Sequence, residues 1–180
     1  MPLALRPHPD WPSPQVTAIA AQVRRGEGGR LDLSYRVSGR VSDLRLPPPA
    51  APERTDELWR RTCFEAFVRC GEGGGYHEIN LAPSGQWAAY RFDGYREGMA
   101  PAELAADPQI RTGAEDGAYE LDASLGLPDG LTGPWRLNLS AVIETIDGQV
   151  SYWALAHPAG KADFHHPDCF ALEIPEPGRP

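Results

Sequence analysis

The chain is expected to fold as an all-β protein, an antiparallel two-sheet β-sandwich with long loops. Three observations point there. Of 180 residues, 19 are glycine and 19 proline, far above the roughly 12% an average chain carries. Each such residue inside a helix costs about 1 to 3 kcal/mol. Short stretches of alternating apolar and polar residues recur, whereas a helical period of useful length does not. Turn signals separate these stretches, and the strand–helix alternation of a parallel sheet is missing.

In chain order, residues 16–25 and 30–38 flank Gly26-Glu27-Gly28-Gly29 and read as a hairpin. Residues 47–56 form a proline-rich surface loop. Residues 62–70, 76–82 and 86–92 are three further strands. Residues 94–108 read as a longer loop with one helical turn over 101–106. Strand signal returns around Arg111 and over 119–127. Residues 135–146 and 149–155 meet at Asp147-Gly148, a strong hairpin cue. Residues 169–174 close a single domain spanning 1–174, and 175–180 form a flexible tail. About eight or nine strands at this spacing fit a sandwich or barrel.

Alternation then assigns faces. With Ala82 opposite Gly85, Asn80 faces Trp87, Glu78 faces Ala89 and Tyr76 faces Arg91. One face gathers Tyr76, Glu78, Asn80, Trp87 and Arg91; the other, with His77, Ile79, Leu81, Ala88, Tyr90 and Phe92, is core. In the preceding strand Phe64, Ala66 and Val68 face the core, and Glu65 lies opposite between Cys63 and Phe67. With Ile146 opposite Gln149, Glu144 and Ser151 share a face with Trp153. Trp135 is expected in the core. Aromatic, carboxylate, amide and guanidinium groups on one face suit a ligand rich in hydroxyls. The same pattern also fits a solvated sheet face holding a structural Glu–Arg pair.

Charge and motifs exclude several functions. With 17 basic and 25 acidic residues the net charge is −8, and no basic patch interleaved with aromatics offers a footprint for nucleic acid. No apolar run approaches the ~20 residues of a membrane helix. The first residues lack the apolar core of a secretory signal, and three cysteines make an odd set, so a cytoplasmic setting is expected. No nucleophile elbow, phosphate-binding loop or dinucleotide fingerprint occurs. An enzyme here would work through paired carboxylates among Glu65, Glu78 and Glu144. A metal or haem site would draw on His157, Asp163 and His165, whose spacing matches no structural zinc pattern. No cofactor is expected, and a structural calcium ion at loop carboxylates such as Asp93 or Asp163 is compatible with the sequence.

The run Leu58-Trp59-Arg60-Arg61-Thr62-Cys63-Phe64-Glu65-Ala66-Phe67-Val68, followed by Tyr76-His77-Glu78-Ile79-Asn80-Leu81-Ala82-Pro83-Ser84-Gly85, resembles the DOMON-like superfamily, in particular its carbohydrate-binding module family 9 type. The segments 87–96 and 151–165 are similar to those of stand-alone bacterial DOMON-like proteins. The resemblance implies a β-sandwich that binds a small molecule, often a sugar, without chemistry. It implies a sugar ring between two tryptophans, with charged and amide groups on its hydroxyls. Trp59 and Glu65 match that pattern by position and Arg91 supplies a guanidinium. Trp153 and Trp87 both remain candidates for the second tryptophan.

Overall fold

The structure, a computed structural model, describes residues 1–71 and 73–177. Twelve strands lie among the described residues: β1 (Leu3–Pro7), β2 (Val16–Arg25), β3 (Arg30–Gly39), β4 (Cys63–Cys70), β5 (Tyr76–Leu81), β6 (Trp87–Phe92), β7 (Ala100–Pro101), β8 (Ala106–Glu115), β9 (Ala118–Gly126), β10 (Trp135–Glu144), β11 (Val150–Ala154) and β12 (Leu172–Ile174). Helix is limited to 3-10 turns. The helical turn expected over 101–106 does not form. Ala102 instead donates its N–H to Ala89 O (2.9 Å), so the chain is drawn out as an edge along β6.

The strands follow one continuous antiparallel path, β7-β6-β5-β4-β10-β11-β1-β2-β3-β9-β8, with β12 also paired to β10. β1, which the sequence pattern did not mark, joins the two halves. Leu3, Ala4 and Leu5 pair with β2, then Arg6 and Pro7 pair with β11. In place of two separate sheets there is one curled sheet whose halves face each other. Tyr35 of β3 lies against Phe64 of β4 at 5.1 Å between ring centroids and donates its hydroxyl to Glu65 O (2.7 Å).

Between the halves lies the main core, with Leu31, Leu33 and Val37, Leu121 and Leu125, Ile79 and Leu81, and Trp135, Leu137 and Leu139. A second apolar cluster covers the outer side of β4, β5 and β6 with Phe67, Tyr76, Tyr90, Phe92, Phe164 and Phe170. β4 is therefore buried on both faces. The proline-rich loop is stitched down by Ala50 N–H to Ser84 O (2.9 Å) and Thr55 N–H to Trp87 O (2.8 Å). Cys63, Cys70 and Cys169 are free thiols. Of the expected tail, Glu176 accepts from Gly133 N–H (3.3 Å), and residues 178–180 lie outside the described residues.

Two hairpin registers differ from the expectation by one residue. Ala82 pairs with Gln86, not Gly85, because the loop is the three-residue Pro83-Ser84-Gly85 with Gly85 at φ +91°. The second loop is Ile146-Asp147-Gly148, with Thr145 bonded to Gln149 O (2.9 Å) and Gly148 at φ +84°. Both have the form of a turn followed by a left-handed residue that bulges the strand. A one-residue slip moves every side chain of the second strand to the other face. Leu81 thus faces Trp87, Glu78 faces Tyr90 and Tyr76 faces Phe92. Glu144 faces Val150 and Ala141 faces Trp153.

Candidate functional site

The register fixes which side chains share the outer face of β4. Glu65 stands between Ser140 of β10 and Asn80 of β5, and Phe67 between Asn138 and Glu78. Toward one end, Cys63, Val142 and Tyr152 form a row across β4, β10 and β11, with Glu144 beyond it. Trp87 and Trp153 do not join this face: both are buried in the main core. Arg91 also leaves it, pairing instead with Asp93 (3.1 Å) in solvent. The expected gathering of Glu78, Asn80, Trp87 and Arg91 therefore reduces to Tyr76, Glu78 and Asn80 beside Glu65.

These four form a buried polar network. Ser140 donates its hydroxyl to Glu65 Oε2 (3.1 Å), and Asn80 Nδ2 donates to Glu78 Oε1 (2.8 Å). Arg96 N–H donates to the Tyr76 oxygen (3.3 Å), and the Tyr76 hydroxyl lies 2.7 Å from His165 Nδ1. The other ring nitrogen, Nε2, lies 3.7 Å from Glu78 Oε2. Burial and the neighbouring Glu78 push the Glu65 carboxyl well up from its ordinary value. Burial raises Glu78 to about 7, against the pull of the Asn80 amide and Arg96. Burial, with Arg96, holds His165 down at about 4.

The segment after β11 covers this end of the face. Asn138 donates to Phe164 O (3.0 Å), and Asp163 accepts from Arg96 (2.8 Å), from Tyr95 and from His165 N–H (3.1 Å). His157 bonds Arg6 O (2.8 Å) and stands against His8, remote in its bonding from Asp163 and His165. Among the described residues, no group of three His, Cys, Asp or Glu converges to hold a metal ion.

At the other end Cys63, Val142 and Glu144 are also buried, and Trp59 and Trp11 are exposed beyond them. Trp59 lies in the 3-10 turn Leu58–Arg60, which packs on β4 and β5 and is entered through Glu57 in the left-handed region (φ 63°). A non-glycine residue there is uncommon. Trp59 is 44% exposed, with the Arg60 guanidinium over its ring at 5.1 Å. Two residues on, Arg61 Nη1 (2.9 Å) joins Arg45 Nη1 (3.2 Å) in donating to Glu144 Oε1. Buried Thr62 builds this cluster: it donates to Arg45 O (2.9 Å) and accepts from Glu144 N–H (3.0 Å). Two surface grooves, one along Arg24, Asp32 and Asp122, the other at Arg25, Gly28 and Pro128, lie away from this face.

No protein-family model matches the sequence, and no curated protein matches it. Solved structures do. A putative carbohydrate-binding protein from Bacteroides uniformis aligns over 94% of this chain and 82% of its own, with TM-score 0.66 and 16% identity. A carbohydrate-binding module of family 9 from Caldicellulosiruptor kristjanssonii, in complex with glucose, aligns over 94% of this chain and 81% of its own (TM-score 0.55, 14% identity). A family 9 module from the same organism in complex with cellotriose aligns over 89% and 74% (TM-score 0.56, 11% identity). The fold is that of the family 9 carbohydrate-binding modules.

On this family 9 scaffold, several residues at the face escaped the sequence reading. Trp11 is 46% exposed and meets Tyr152 edge-on at 5.4 Å. It is held by Trp11 N–H to His8 O (3.1 Å) and His8 N–H to Tyr152 O (2.8 Å). Of the five tryptophans, Trp11 and Trp59 are the exposed pair. Its signal was present: Pro9-Asp10-Trp11-Pro12 offers no strand in which an indole could be buried. Arg45 and Arg61 come from segments whose approach to β10 no local pattern encodes, and His165, expected only as a metal ligand, stands instead against Tyr76 and Glu78.

Proposed function

We propose that the protein is a non-catalytic carbohydrate-binding module that stacks a pyranose on Trp59, in the turn leading into β4. The carrying observation is a half-exposed indole under the Arg60 guanidinium, two residues before an arginine anchored on Glu144. It stands on a fold shared with modules whose structures hold glucose or cellotriose. An exposed indole is unfavourable in water and covers the apolar C–H face of a sugar, while fixed polar groups take the hydroxyls. Trp11 is the second wall. Its partner Tyr152 lies in one row with Val142 and Cys63, and Cys63 follows Trp59 by four residues.

An enzyme working through paired carboxylates would need Glu65 and Glu78 to flank a substrate. Both are buried, Glu78 against His165, which favours binding over hydrolysis. Titration of monosaccharides and short glucans, followed by tryptophan fluorescence and calorimetry, tests the reading. Saturable binding is expected, weakened about tenfold or more by Trp59→Ala and by Trp11→Ala, in keeping with stacking worth about 1–3 kcal/mol per ring. Silence across the panel, or full affinity in Trp59→Ala, overturns it.

A further inference from the structure

Arg45 and Arg61 carry a charge arrangement that a neutral sugar does not use. Both guanidiniums reach the same oxygen, Oε1, of the single carboxylate Glu144. Oε2 of that carboxylate is buried with no hydrogen-bond partner. Neither arginine therefore makes the two-point fork with the carboxylate that its shape allows. Arg45 spends its Nη2 on Ile146 O (3.0 Å), while the Arg61 side chain is 65% exposed. Both cations thus lean on one carboxylate oxygen, and Arg61 follows Trp59 by two residues. Of the other carboxylates, Glu57 holds Arg60 (2.9 Å), and Asp147 takes the Thr145 hydroxyl (2.5 Å) and the Gln15 amide (3.5 Å) in place of either arginine. Asp32 also receives two arginines, but one on each oxygen, and the residues lining its groove include no aromatic.

The cluster is also rigidly built. Arg45 N–H donates to Glu144 O (2.8 Å) and Leu44 bridges Thr145, so the backbone beneath the arginine is fixed to β10. Donors already in place lose little freedom on binding. We propose that the ligand is an anionic pyranose, whose carboxylate or phosphate is taken by the exposed N–H groups of Arg45 and Arg61 while its ring stacks on Trp59. This rests on the carbohydrate-binding reading and adds the class of sugar to it. Guanidinium forks match both anions, and a screened point charge alone would not fix the sugar's orientation.

Calorimetric titration with glucose, glucuronate, glucose 1-phosphate and inorganic phosphate separates the cases. At low salt one or both anionic sugars are expected to bind at least about tenfold tighter than glucose, from one or two charge-assisted hydrogen bonds. Which of the two gains assigns the carboxylate or the phosphate. That ratio falls toward one in Arg45→Gln and Arg61→Gln and shrinks in about 1 M sodium chloride. Arg45→Lys and Arg61→Lys retain part of it, which guards against a glutamine variant that folds poorly. Equal affinity for glucose and both anionic sugars overturns the inference and leaves the carbohydrate reading standing, as does a preference that survives both glutamine variants. Inorganic phosphate binding as tightly as glucose 1-phosphate overturns it as an anion site independent of sugar. Silence toward every sugar overturns both.

Discussion

Glu78 is held by burial, by the Asn80 amide on Oε1 and by His165 Nε2 at 3.7 Å from Oε2. Its carboxyl is raised to about 7 from an ordinary 4.5. Its contribution to stability is thus complete below about pH 4.5 and is lost as pH rises through about 7. His165 runs the other way: lowered to about 4 from 6.5, it contributes fully above about pH 6.5 and is lost as pH falls through 4. Between pH 4.5 and 6.5 the two slopes oppose each other. Above 6.5 the histidine is neutral in both states, and the raised carboxyls of Glu78 and Glu65 alone remain. Tm is therefore expected to decline from pH 6.5 to 8, by at most ~1.4 kcal/mol of stability per unit for each proton. Glu78→Gln flattens that decline and melts higher than the parent at pH 8. Thermal melts by circular dichroism across that range check this; an equal or steeper decline in the variant contradicts it. The pairing of Glu65 and Glu78 on one face was legible from alternation alone. Their histidine partner was not, since His165 arrives from a segment 87 residues beyond Glu78, held by Asp163 and Asn138.

The two hairpins carry the element-scale lesson. Pro-Ser-Gly and Ile-Asp-Gly each admit a two-residue turn, yet both form three-residue loops with glycine in the left-handed position. Local turn chemistry does not choose between them, because Asp-Gly suits either geometry. Burial does. In the observed registers Trp87 and Trp153 are 6% and 3% exposed, and Arg91 is in solvent. A slip by one residue would take both indoles out of the main core and move Arg91 to the side packed by Tyr90 and Phe92. Each buried large apolar side chain contributes about 1.5–3 kcal/mol, enough to fix the register. Most strands were thus readable from pattern, β1 and β7 excepted, whereas the burial of Trp87 and Trp153 in the main core depended on one residue of loop length. The loop geometry makes Gly148 sensitive in a defined way. A Cβ there would meet nothing within 4 Å, so only the positive φ opposes a side chain. Gly148→Ala is expected to cost about 1 kcal/mol, lowering Tm by about 2–4 °C. Gly148→Asn costs less, since asparagine tolerates that region. A neutral alanine, or an asparagine as costly as alanine, contradicts the assignment.

At the scale of the whole molecule, the curl depends on a strand of five residues. The fold class and most strand positions follow from alternation and turn residues, but closure does not. Leu3–Pro7 is short and bounded by Pro2, Pro7 and Pro9, which masks any strand pattern. Its importance lies in pairing with β2 on one side and β11 on the other, contacts far apart in sequence. The same strand leads into His8, whose N–H on Tyr152 O places Trp11 at the face, so closure is linked to the proposed second stacking wall. Leu5 is the keystone: opposite Ile19 in register, 4% exposed and part of the main core. Leu5→Ala leaves a cavity there and is expected to cost about 2–5 kcal/mol, a fall in Tm of about 2–4 °C for each kcal/mol. Because that core runs through both halves of the sheet, unfolding remains a single transition in parent and variant. Trp11, anchored through β1, is expected to lose sugar-dependent fluorescence quenching in parallel with unfolding. Differential scanning calorimetry decides the point. A shift below about 1 °C is far less than the cost of a buried cavity, and would show that β1 does not hold the halves together. Two separated transitions would show instead that the halves fold as independent units.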